Sequence, residues 1–134
     1  MIRQRIRHAF DDGPSGRLRR IIHSEMGDPT EMHAEIMERF MQPFLMFLAQ
    51  TVSEIMGIDK TDTAVHRCSF SIQSQLMFLN VMRIKGKTHH IKLLLGCDTP
   101  SAEQVDSMAE HIFIFAMSGM RAVAESRLTG VEGV

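Results

Sequence analysis

A chain of 134 residues with 44% hydrophobic and 23% charged side chains has room for one globular unit and is too apolar to be disordered. Lys and Arg number 15 against 16 Asp and Glu, a formal net charge of -1, so the basic excess of a compact nucleic-acid binder is missing. Cys68 and Cys97 lie far apart and outside any Cys-x-x-Cys pattern, which indicates neither a disulfide framework nor a zinc ribbon; with no signal-peptide core and no membrane-length apolar run, the expected location is the cytoplasm.

The chain opens on "MIRQRIRHAF", a short basic segment over residues 1–14 that ends in the turn signal "DDGPSG". Its arginines, with Arg17, Arg19 and Arg20, read as a solvated face rather than a phosphate site. A helix is expected over 15–26. Asp28 can then cap a long helix, with Pro29 in its first turn and Glu31 completing an Asp-x-x-Glu box. That helix should reach residue 56, kink or break at Pro43, and close on Gly57. The next is expected over 63–84, followed by "KGK", a short helix in "THHIKLLLG", and a last long helix over 101–126 opened by a Ser101/Gln104 capping box. Residues 127–134 should fray. Alternating β-branched runs are scarce, so the expected fold is a single all-α domain of five to six helices.

Two of these helices carry more apolar surface than one core can cover. On 63–84, Val65, Cys68, Ile72, Leu76 and Leu79 form one stripe, and Phe70, Met77, Phe78 and Val81 a second. On 101–126, Val105, Met108, Ile112, Phe115, Gly119 and Val123 form one face, and Phe113, Ile114, Met117 and Ala124 spread onto others. Two stripes require two partners. The expected answer is a homodimer joined by a four-helix bundle, with Ile72, Gln75, Leu76, Leu79, Ile112, Phe115, Ala116, Gly119 and Val123 at the interface. The bland alternative is a monomer that buries both helices fully.

Catalytic and metal readings find little support. There is no Gly-x-Ser-x-Gly elbow, phosphate loop or dinucleotide fingerprint, and Ser, His and acidic residues are too dispersed for a triad, so no catalytic residue and no cofactor are assigned. His89, His90 and Cys97 lie close in sequence, as do His66 and Cys68, but adjacent histidines diverge on a helix and no Glu precedes a His by three. His23 and His111 read as packed or solvent-facing residues. No metal site is assigned.

The order "SEMGDPTEMHAEIMERFMQPFLMFLAQTVSEIMG", "HRCSFSIQSQLMFL", "AEHIFIFAMSGM" resembles the C-terminal effector-binding and dimerisation domain of TetR-type transcriptional regulators, in the subgroup typified by CecR. The residues carrying it are Glu25, Pro29 with Thr30, Pro43, and Gln75 before the apolar run 76–79. Ser24 and Ser74 depart from it, standing where the family often has Arg and Gly. The resemblance implies contact with DNA only through a helix-turn-helix domain, which is absent from this chain; a fragment, a truncated reading frame and a natural relative without that domain are all compatible. It also implies that the Met and Phe set, by default core, lines a pocket for a small hydrophobic effector: Met37, Phe40, Met41, Phe44, Phe47, Met77, Phe78, Phe113 and Met117, with His66, Gln73 and Gln75 as candidate polar groups. Two other functions stand beside this one: a pure dimerisation module acting on full-length partners, and a small helical enzyme without a recognisable motif.

Overall fold

A computed structural model describes residues 4, 13–84, 88–96 and 101–130, without the side chains of 14–16, 19, 23, 80–84 and 88–91. Among the described residues every regular element is a helix. The first, α1 (Pro14–Gly27), has a proline in its first turn, where no N–H is needed. It ends at Asp28, whose N–H donates to the Ser24 carbonyl at 2.9 Å. Asp28 is thus the closing residue of α1 rather than the opening cap of the next helix, and the expected Asp28/Glu31 box gives way to a different device. The Glu25 carboxylate accepts from the Thr30 N–H at 2.7 Å and from its hydroxyl at 2.6 Å, while Thr30 Oγ1 accepts from the Met32 N–H at 3.3 Å. Asp28 also precedes Pro29, which steers it out of the helical region (φ -143, ψ 83).

The long helix therefore starts later, at α2 (His33–Ile36), and passes through a π-helical turn (Met37–Met41) into α3 (Gln42–Met56). Pro43 explains the widened turn. It offers no N–H to the Arg39 carbonyl and its ring crowds that group, and a π turn relieves both by letting Gln42 N–H bond five residues back, to Met37. The anticipated break is thus a bulge inside a continuing helix. Gly57 closes α3 at φ 67, with its N–H 2.9 Å from the Ser53 carbonyl.

Asp62 starts α4 (Thr63–Ile84): one carboxylate oxygen accepts the Ala64 N–H at 2.8 Å and the other the Arg127 guanidinium from the far end of the chain. The Ala64 N–H and then Arg127 hold the Asp62 carboxyl below the usual aspartate range. After α5 (Thr88–Leu95), the capping box of α6 (Ala102–Leu128) forms as spaced: Gln104 N–H reaches Ser101 Oγ at 3.3 Å, and Ser101 N–H reaches Gln104 Oε1 at 2.8 Å. The basic segment at 1–12 and the tail at 131–134 lie outside the described residues, Gln4 apart, as do "KGK" and Cys97; Arg17 is exposed.

Helix α4 packs against α1, α3, α5 and α6. Its expected inner stripe, Val65, Cys68, Ile72, Leu76 and Leu79, is buried throughout, whereas Phe70 remains 73% exposed and Phe78 58%. On α6 the inward stripe is Val105, Ala109, Ile112, Ala116 and Met120; Phe115 and Gly119, expected on the same face as Ile112, lie off it and are exposed. Leu48, Val52, Val65 and Ile112 are fully buried where α3, α4 and α6 meet, each contributing roughly 1.5–3 kcal/mol.

Candidate functional site

Between α4 and α6 the surface opens into a groove of about 840 Å³. Its floor is the outer edge of the core, from Cys68, Ile72, Ala116 and Met120, all nearly covered by their own chain. Ser71 and Gln75 form the α4 wall; Phe115, Gly119, Ala122 and Val123 form the α6 wall; Thr63, Arg67, Ser126 and Arg127 make a polar end. The wall residues of α4 turn their polarity back onto their own helix: Ser71 Oγ donates to the Arg67 carbonyl at 3.0 Å and Gln75 Nε2 to the Ser71 carbonyl at 3.4 Å. A Cβ placed on Gly119 would meet no atom within 4 Å, so its own chain does not demand a glycine there. On the rim the His111 and Phe115 rings stack with centroids 6.5 Å apart. Burial pushes the Cys68 thiol up from its ordinary value, leaving it a protonated apolar filler of the floor.

Of the residues expected at a dimer interface, Ile72, Gln75, Phe115, Ala116, Gly119 and Val123 line this groove, while Leu76, Leu79 and Ile112 lie in the core of their own chain. Of the residues expected at an effector pocket, Gln75 alone, which was also expected at the interface, touches it. Met41 and Gln73 are buried; Met37, Phe44, Met77 and Met117 are half-buried, with Phe44 and Met117 against the core; Phe40, Phe47, His66, Phe78 and Phe113 are exposed.

Gln73 stands apart from that set. It is 8% exposed, and its Oε1 has no hydrogen-bond partner among the described residues. Leaving an amide oxygen in that state costs roughly 1–3 kcal/mol. The neighbouring buried polar residue, Ser69, is satisfied, its hydroxyl donating to the Val65 carbonyl at 2.8 Å. Two residues of helix separate Gln73 from Gln75, a rotation of about 200°, so the buried amide and the groove wall occupy opposite sides of α4.

Sequence reasoning missed the polar end of the groove. Arg127 and Asp62 are 65 residues apart, and nothing local pairs them. Among the described residues no group of three or more His, Cys, Asp or Glu could hold a metal ion, and no helix is long and apolar enough to cross a membrane. The side chains of His23, His89 and His90 lie outside the described ones.

A family model described as the C-terminal domain of the HTH-type transcriptional dual regulator CecR matches residues 1–120. No curated protein and no solved structure matches the chain.

Proposed function

The chain belongs to the CecR C-terminal-domain family of TetR-type regulators, and from that membership we propose that it is a cytoplasmic regulatory module that dimerises through the α4–α6 groove, binds a small, largely apolar effector, and performs no chemistry. The two-sidedness of α4 carries this reading. One side borders an open groove with an apolar floor and a glycine that its own chain does not need; the other buries an amide oxygen that has no hydrogen-bond partner among the described residues. A partner copy suits the first and a ligand the second.

The module would act by population shift. An effector that prefers one arrangement of α1 against α4 biases that arrangement, and in a regulator whose DNA-binding heads sit on such a dimer the bias changes their spacing and their affinity for an operator. The Glu25–Thr30 contact, which pins the turn between α1 and α2, would make such a displacement act as a unit.

The test is a thermal-shift screen of neutral apolar compounds. An effector that binds only the native state raises the melting temperature with the logarithm of its concentration over its dissociation constant. A dimer that no compound stabilises would leave the pure dimerisation module as the better account.

A further inference from the structure

Resting on the effector-binding reading, we infer that the effector carries a hydrogen-bond donor, a hydroxyl or an N–H, that meets Oε1 of Gln73. The amide oxygen is an acceptor only. It lies in a side chain 8% exposed and is unpaired among the described residues. The hydroxyls that α4 itself could offer are committed elsewhere: Ser69 donates to the Val65 carbonyl at 2.8 Å, and Ser74 to that of Phe70 at 2.7 Å. One helical turn to either side along α4 stand Phe70, 73% exposed, and half-buried Met77, so apolar side chains flank Gln73 along its own helix.

This sets the ligand's chemistry. A carboxylate, ketone or ether would bring a second acceptor against Oε1, repelling it and leaving both oxygens desolvated. A neutral body bearing one donor satisfies the oxygen and covers the apolar flank at once. Such a site discriminates strongly, because an analogue that lacks the donor leaves the buried acceptor unpaired again.

Para-phenylphenol and its methyl ether share one aromatic body and differ in whether the oxygen can donate. Calorimetric or thermal-shift titration of the intact chain should show the phenol binding roughly tenfold tighter than the ether, with the Gln73 side-chain amide resonances shifting on addition of the phenol alone. Gln73→Met keeps the length of the side chain and removes the acceptor; it should bind both compounds alike, and Gln73→Leu serves if that variant does not fold. The unliganded Gln73→Met protein should melt no lower than the parent, since no hydrogen bond is lost. Equal binding of the two compounds by the parent would overturn this inference and leave the effector reading standing. So would discrimination that survives in Gln73→Met, or a variant that melts several degrees lower. Binding of neither compound would also overturn the inference, and the effector reading would then stand or fall by the thermal-shift screen alone.

Discussion

Replacing Gly119 by leucine adds a branched side chain to the middle of α6 at a point where a Cβ would meet no atom within 4 Å. For the isolated chain the change should be favourable. Glycine inside a helix is about 0.5–1 kcal/mol less stable than a good helix former, and no existing contact is displaced, so the monomer should gain about that much and melt a few degrees higher. A dimer seated on the groove would feel the opposite. Each new side chain would intrude where the facing helix lies, costing roughly 1–3 kcal/mol per copy. Twofold symmetry doubles that figure, weakening association by roughly 30-fold to 25,000-fold. Sedimentation velocity over a concentration series measures the second effect, and urea unfolding at a concentration low enough to hold the monomer measures the first. Unchanged association would show that no partner lies over Gly119, while a destabilised monomer would show that the groove is closed there by the chain itself. Gly119→Ala, with the same helix gain and little bulk, should stabilise the monomer and leave association nearly intact.

Leu48→Ala empties a fully buried position between α3 and its neighbours and should lower unfolding free energy by about 2–5 kcal/mol, read as a lower urea midpoint at constant slope. Ser101→Ala breaks the capping box of α6 and should cost about 1 kcal/mol in the same assay. The Thr30 hydroxyl, and after it the Thr30 N–H, hold the Glu25 carboxyl below the usual glutamate range. Its contribution is therefore complete above that ordinary range and is lost as the pH falls through the lowered folded value. The Thr30 amide resonance should titrate in that acid window, and the titration should disappear in Glu25→Ala.

Much of the fold was legible because helix ends are written in local chemistry. The Ser101/Gln104 pair, Gly57 and Pro43 each act within five residues of themselves, and all three mark real boundaries or distortions. Asp28 was misread because the competing Glu25–Thr30 contact depends on the chain turning back between α1 and α2, which no helical periodicity encodes. The phase of α6 was misjudged for a related reason. Phe115 carries more apolar bulk than Ala109 and Ala116, yet the alanines face inward, which lets α6 lie close against α4 while the Phe115 ring goes to the rim; Met108 and Val123 still pack against the edge of the core. Gln73 and Gln75 were noticeable as polar breaks in an apolar run, and helix geometry alone separates their directions. Which of them borders the groove is decided by where α6 packs, a tertiary fact. The groove mixes Ser71, Ala122, Ser126 and Arg127 with core edges in no single period, so only assembly of the helices reveals it.

The central claim, that α4 turns its groove side to a second copy and keeps the Gln73 side for a ligand, is tested most directly by sedimentation equilibrium of the unmodified chain across the micromolar range. The account predicts a species of twice the 15.2 kDa chain mass, dissociating only on dilution. A single-chain mass at every concentration would contradict it, leaving the groove without the partner that the two-sided helix requires.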